Sequence, residues 1–325
     1  MSGIEANERV LRHAIAIAGL PLSALQAALS RYDAHRYGPV GEMVQVGDGQ
    51  LHAIVTGSGG PTVILESGMG GCSLDWSLVQ PALSKYATVL AYDRAGFGWS
   101  SPASGVPTCA GSASALRELL RALNLAPPYL LVGHSYGGMI MHLFAASYPQ
   151  EVMGLVLVDS THADRFAPQT GQDGHAARRA ERSKHRSRLR LGYLLAPIGI
   201  PRYLKQWIGV KRLPGEAGRA VRSLGYRSSA YKTAYAELIG TADSAAQLHQ
   251  APPLPPHLPV IVLTAGRQTA EWLEGQQALL RLTERTKQVV VPDSWHAIHI
   301  HQPRIVIEAV AGLISAGVAG IMLDE

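Results

Sequence analysis

The stretch Tyr129-Leu130-Leu131-Val132-Gly133-His134-Ser135-Tyr136-Gly137-Gly138 decides how this chain is read. An apolar run of strand length leads into G-x-S-x-G at 133–137, and the helix-compatible residues 138–146 follow at once. A strand, a sharp turn and a helix in that order form a nucleophile elbow, whose turn strains the serine backbone and lifts its Oγ clear of the sheet. Gly133 and Gly137 suit places where strand and helix backbones pass too close for side chains. Ser135 is therefore the candidate nucleophile.

A serine alone is a poor nucleophile; it needs a base, a group that orients the base, and donors for an oxyanion. The base is sought in Val289-Val290-Val291-Pro292-Asp293-Ser294-Trp295-His296. His296 is the first histidine after an apolar strand, in a loop that can reach over the elbow, and Pro303 starts a final helix. Its neutral imidazole can take the serine proton and later return it. His299 and His301 complete an H-x-x-H-x-H cluster, but no Cys, Asp or Glu adds a familiar ligand spacing. They read as packing and surface polarity, and no metal or cofactor is implied. The oxyanion donors are expected to be the N–H of Tyr136 and that of Met69, in the loop Ser67-Gly68-Met69-Gly70-Gly71 after a strand at 62–66. For the acid, Asp159 ends the apolar run 154–158, whereas the strand at 260–264 is followed by no carboxylate until Glu271. Asp159 is preferred and Glu271 is the alternative.

With these pieces in order, the chain resembles the α/β-hydrolase superfamily over nearly all its length outside residues 1–40 and 165–255. The resemblance rests on Glu66-Ser67-Gly68-Met69-Gly70-Gly71, Tyr92-Asp93-Arg94-Ala95-Gly96-Phe97-Gly98-Trp99-Ser100, Gly133-His134-Ser135-Tyr136-Gly137-Gly138, Leu155-Val156-Leu157-Val158-Asp159, and Ser294-Trp295-His296. There are departures. Many relatives carry His-Gly where Ser67-Gly68 stands, and Trp295 replaces a usual glycine. Gln268 and Thr269 occupy the family's commonest acid site, which moves the expectation to Asp159. Serine at 135 argues against haloalkane dehalogenases and epoxide hydrolases, which resemble this pattern but place aspartate there. Asp93-Arg94 recurs across many activities and reads as structural.

Strands at 42–47, 51–56, 62–66, 88–92, 129–134, 154–158, 260–264 and 287–291 alternate with helices at 74–84, 109–124, 136–147, 270–284 and 303–316. That pattern implies an α/β fold: a mainly parallel eight-stranded sheet flanked by helices. Right-handed crossovers then bring Met69, Ser135, Asp159 and His296 to one sheet edge. Three regions are expected: an N-terminal helical segment at 1–40, a core at 41–160 and 258–325, and a helical cap or lid at 161–257, after the sixth strand. In that cap, Tyr193, Leu194 and Trp207, with Trp295 of the core, are candidates to line a substrate pocket.

The formal charge is +5 over 325 residues, with a sequence pI near 9.2. Residues 175–227 hold fourteen Lys and Arg against two Glu, so the excess belongs to the cap. No nucleic-acid fold or aromatic platform accompanies it, which excludes nucleic acid as the expected partner. Two cysteines make no disulfide framework. Residues 14–30 are uncharged, but Glu5, Glu8 and Gly19-Leu20-Pro21 oppose a signal peptide. A cytoplasmic location is expected, with peripheral membrane contact or self-association through residues 1–36 or the basic cap left open.

The expected function is a serine hydrolase cleaving a small, largely apolar carboxylic ester through an acyl-enzyme. The alternatives are an amide, lactone or carbon–carbon bond hydrolase or an acyltransferase with the same residues, and, in another class, a non-catalytic small-molecule receptor.

Overall fold

The structure is a computed structural model that describes residues 6–102, 105–166 and 175–321, with side chains described for all of these except 175–182 and 317–321. Residues 1–5 of the expected N-terminal segment and 167–174 of the expected cap lie outside the described residues, as do the side chains of Arg178, Arg179 and Arg182.

Two helices come first, α1 (Ala6–Ala18) and α2 (Leu20–Arg36). The hairpin β1 (Glu42–Val46) and β2 (Gly49–Thr56) leads to β3 (Thr62–Glu66), a 3-10 turn at Ser73–Trp76, α3 (Gln80–Leu83) and β4 (Thr88–Tyr92). Next are α4 (Cys109–Ala122), β5 (Tyr129–His134), α5 (Tyr136–Ser147) and β6 (Val152–Val158). An insert of α6 (His175–Leu195), α7 (Ile200–Tyr203), α8 (Gly215–Gly225), α9 (Ser228–Ile239) and α10 (Thr241–Gln250) separates β6 from β7 (Val260–Ala265). The chain closes with α11 (Ala270–Leu279), β8 (Thr286–Val291), α12 (Ile298–His301) and α13 (Pro303–Ile321).

The eight strands form one sheet in the order β1-β2-β4-β3-β5-β6-β7-β8. Only β1–β2 and β2–β4 pair antiparallel; every other pair is parallel. The central strands β3 and β5 are buried along their whole length, as continuous apolar runs covered on both faces require. On one face Ile64, Leu131 and Leu157 pack beneath Leu116 of α4 and Ile140 and Phe144 of α5. On the other, Val63, Val132 and Val156 meet Leu83 of α3 and Val306 and Val310 of α13. Each such side chain contributes about 1.5–3 kcal/mol by leaving water, which fixes the sheet as the rigid frame for the loops at its edge.

The expected helix at 74–84 is instead a 3-10 turn and a four-residue helix. The buried Asp75 carboxylate turns back to accept the Cys72 N–H (3.3 Å), and Pro81 supplies no amide to extend the ladder. The helix expected to run from 270 to 284 stops at Leu279. Beyond it the Thr283 hydroxyl donates to the Leu258 carbonyl (2.8 Å), which ties the chain to the connector before β7.

The elbow is a tight crossing. A methyl group added at Gly137 would lie 2.5 Å from the Ser67 carbonyl oxygen and 2.7 Å from that of Glu66, both backbone atoms that cannot step aside. Gly137→Ala is therefore expected to lower stability by about 1–3 kcal/mol, as overpacking of a fitted contact does. A urea titration measures this; an unchanged midpoint would mean that α5 does not press on the end of β3.

Candidate active site

The turn between β5 and α5 holds Ser135 at φ 53° and ψ −121°, in the left-handed half of the map. A non-glycine residue stays there only when its surroundings hold it. The Ser135 N–H donates to the Val158 carbonyl (3.1 Å), and the Ser135 carbonyl accepts from Gly138 and Thr161 (both 3.0 Å). Asp159, directly after β6, also has positive φ, 43°, and its N–H donates to Leu263 of β7 (2.7 Å). Both residues are thus turned by neighbouring strands rather than by their own sequence.

The structure brings Ser135, His296 and Asp159 into one row. His296 Nε2 lies 2.9 Å from Ser135 Oγ, and Nδ1 lies 2.7 Å from Asp159 Oδ2. Asp159 is fully buried, while the His296 side chain is 38% exposed and faces the opening above. With its proton on Nδ1, His296 donates to the carboxylate and offers Nε2 as acceptor to the serine hydroxyl. The Ala265 N–H (3.1 Å) and Trp272 Nε1 (3.0 Å) donate to Asp159 Oδ1, and the Gln268 amide donates to Oδ2. Glu271, the alternative acid, points elsewhere: its carboxylate lies 3.5 Å from Arg165, in the first turn of α11.

Met69 and Tyr136 line the same cavity as Ser135 and His296. Neither backbone amide donates to a protein acceptor among the described residues; Tyr136 opens α5, where first-turn amides have no intrahelical acceptor. Arg94 holds the Met69 loop from below, donating to the Ser67 (2.7 Å) and Gly68 (2.9 Å) carbonyls. Two buried carboxylates flank its guanidinium, Glu66 of the core (2.5 Å) and Glu237 of α9 (2.9 Å). Glu237 also accepts the Gly70 N–H (3.3 Å), so the insert and the loop share one buried ion pair.

Two further histidines lie behind the row. His134 stacks against His296 (centroids 4.6 Å) and His299 (4.4 Å), and His299 also against Trp76 (4.6 Å). Burial pushes the His299 imidazole down to about 3, and pushes that of His134 well below the ordinary range. His299 is thus a buried packing ring and His301 an exposed one, with Nδ1 3.3 Å from the Ser294 hydroxyl.

A cavity of about 840 Å³ opens over Ser135 between the sheet edge and the insert. Near the serine its lining is apolar, with Met69, Leu238, Trp272 and Trp295; towards α6 it turns basic, with Lys184 and Arg188. Of the four expected pocket residues only Trp295 lines it. Tyr193 and Leu194 are buried with Tyr235 of α9 and Phe97 of the core loop after β4, because their face of α6 closes onto α9. Trp207 turns to Tyr226 (centroids 6.1 Å) and Lys211, and donates to the Val210 carbonyl (3.2 Å). Trp272 was missed by sequence reasoning: it donates to Asp159 and meets the His296 ring edge-on at 5.0 Å. Its only sequence signal is its place in the first turn after β7, beside the family's usual acid site. Gln268, which occupies the family's usual acid site, instead donates its amide to the carboxylate of Asp159 after the neighbouring strand.

The α/β-hydrolase fold family model matches residues 61–303, and the chain belongs to that family. An uncharacterized Bacillus subtilis protein, YqjL, is 24% identical over 260 residues, covering 77% of this chain and 82% of its own. An uncharacterized Schizosaccharomyces pombe protein is 31% identical over 228 residues, which are 68% of this chain but 40% of the yeast protein. Among solved structures, an epoxide hydrolase, CorEH, superposes with a TM-score of 0.69 at 19% identity, covering 85% of this chain and 99% of that one. An esterase from Thermogutta terrifontis does so with a TM-score of 0.62 at 23% identity, covering 85% and 98%. At these identities the likeness is one of fold.

His299 generates a stability prediction. Both its ring nitrogens lack partners, so His299→Phe keeps the ring contacts while removing two unpaired buried polar atoms. The unfolded chain protonates this side chain near 6.5, the folded chain near 3. Between those values unfolding takes up a proton, so stability is full above about pH 6.5 and falls as the pH drops. Thermal melts of His299→Phe are expected to match or exceed the wild type near about pH 7, and to lose less on acidification. A variant as acid-sensitive as the wild type would contradict this.

Proposed function

We propose that this chain is a serine hydrolase that cleaves a small, largely apolar carboxylic ester through an acyl-enzyme. The observation that carries the reading is the row Ser135–His296–Asp159, with contacts of 2.9 and 2.7 Å, opening into the cavity. His296 takes the Ser135 proton on Nε2 as Oγ attacks the ester carbonyl carbon. Asp159 fixes the imidazole and stabilises its charged form. The amides of Met69 and Tyr136 hold the oxyanion of the tetrahedral intermediate. His296 then protonates the leaving alcohol, and a water activated by the same nitrogen releases the acid and restores the serine. The apolar wall of Met69, Leu238, Trp272 and Trp295 supports an ester with an apolar acyl or alcohol group at the reacting end.

Ser135→Ala and His296→Ala are each expected to fold normally and to lose about 10⁴-fold in kcat on short acyl p-nitrophenyl esters, since a nucleophile and its base act as a unit. Asp159→Asn should cost about 10²–10⁴-fold, because an amide favours the wrong histidine tautomer. Glu271→Gln should cost far less, within about ten-fold, since Glu271 pairs with Arg165 (3.5 Å) and does not touch His296. Steady-state kinetics on all four decides it; a wild type that binds esters without turnover would assign the chain to receptors.

A further inference from the structure

Helices α1 and α2 are packed with their polar sides inward. On α1, Glu8 is buried against Arg190 (2.5 Å) and accepts from the Tyr235 hydroxyl (3.1 Å), while Arg12 donates to the Tyr193 carbonyl (3.1 Å). On α2, Gln26 is 4% exposed; it donates to the Tyr226 carbonyl (2.9 Å) and accepts from Arg202 (2.9 Å). Asp33 pairs with Arg202 (2.8 Å). Apart from Ile15, which packs on the cluster around Tyr193 and Tyr235, the large apolar residues of both helices are exposed. Leu22, Leu25, Leu29 and Tyr32 recur at helical spacing along one face of α2, and Val10 and Ile17 do so on α1. Ile17 is 73% exposed and Leu25 56%. Half of the sixteen exposed large hydrophobic residues in the described chain fall between Val10 and Tyr32. Tyr203 and Leu204, just beyond Gly199 where α2 meets the insert, add to them. Scattered exposed apolar residues need no explanation, but a contiguous face marks an interaction surface.

The charges say what covers it. Both acids of the described N-terminal helices, Glu8 and Asp33, are turned inward and paired, whereas Arg9, Arg31 and Arg36 are exposed. The outward surface of the two helices is therefore aliphatic with a cationic rim and, among the described residues, carries no exposed carboxylate of its own. Against a second copy, self-pairing would bring these cations together with no helix carboxylate to meet them. By length and composition α1 and α2 together could make a broken span, but no single helix among the described residues is long and apolar enough to cross a membrane, and the two meet at a 95° bend. Their inner faces are also hydrogen-bonded to the insert. We propose that α1 and α2 form a peripheral membrane-docking face that lies in the interface of an anionic lipid bilayer, with the leucines among the acyl chains and Arg9, Arg31 and Arg36 at the headgroups. Because α1 packs on α6, whose Lys184 and Arg188 line the cavity, docking and substrate entry share one helix.

The test is co-sedimentation of the full chain with vesicles of phosphatidylcholine alone and with phosphatidylglycerol added. The wild type is expected to bind the anionic vesicles at least about ten-fold more tightly, and more weakly as salt rises. Leu25→Glu with Leu29→Glu should lower that binding at least about ten-fold, since the apolar contribution is lost. Its thermal midpoint should not change, because both side chains are exposed. Arg9→Gln with Arg31→Gln should remove the anionic preference and the salt dependence. No sedimentation of the wild type, or equal binding by wild type and leucine variant, overturns the proposal. So does a dimer, seen by light scattering, that the leucine variant abolishes without any vesicle binding. The readout is independent of hydrolysis, so it stands or falls apart from the proposed activity.

Discussion

The Asp159 carboxylate is the interaction on which the arrangement at the sheet edge depends. It is fully buried, and no Lys or Arg among the described residues pairs with it. A buried carboxylate in that position is tolerable only when donors surround it. Its donors are the Ala265 amide at the end of β7, the Gln268 and Trp272 side chains after it, and the His296 ring after β8. One anion thus gathers the ends of three strands, and the histidine is aimed at Ser135 because every other donor around the carboxylate is already placed. The positive φ of Asp159 is the local cost of turning its side chain back under the edge.

A second buried anchor acts on the other side of the serine. Arg94 ties the carbonyls of Ser67 and Gly68 to Glu66 beneath them and to Glu237 in the insert. Breaking a buried pair by removing one partner costs about 3–5 kcal/mol, so the seat of the insert and the shape of the Met69 loop are not independent. The insert therefore does more than roof the cavity: through Glu237 it holds the Gly70 amide and the guanidinium that supports the loop.

The sheet was legible in the sequence because its strands are short apolar runs ended by polar or glycine residues. The runs 62–66, 88–92 and 129–134 coincide with β3, β4 and β5. Ser135, Asp159 and His296 were legible for a related reason: each follows a strand end, and parallel topology collects such ends on one edge. What was not legible is decided by contacts distant in sequence. Tyr193 and Trp295 are both aromatic, yet one seats the insert and the other lines the cavity, and the packing of α6 on α9 is what buries Tyr193. Trp272 carried no pattern of its own, since its role exists only through a carboxylate more than one hundred positions earlier. The N-terminal helices taught a similar lesson. Their helical character was visible, but the sequence does not say which face is turned inward, and here ion pairs to Arg190 and Arg202 hold the polar side of each against the insert.

The central claim is that Ser135 becomes covalently acylated during turnover. The most direct measurement is rapid mixing of the protein with excess p-nitrophenyl acetate, an acid quench within the first turnover, and intact and peptide mass spectrometry. The account predicts a burst of p-nitrophenol close to one equivalent per chain, and a single acetyl group on the peptide that contains Ser135. Turnover with no acylated serine at any quench time, or with the acetyl group on another residue, would contradict it.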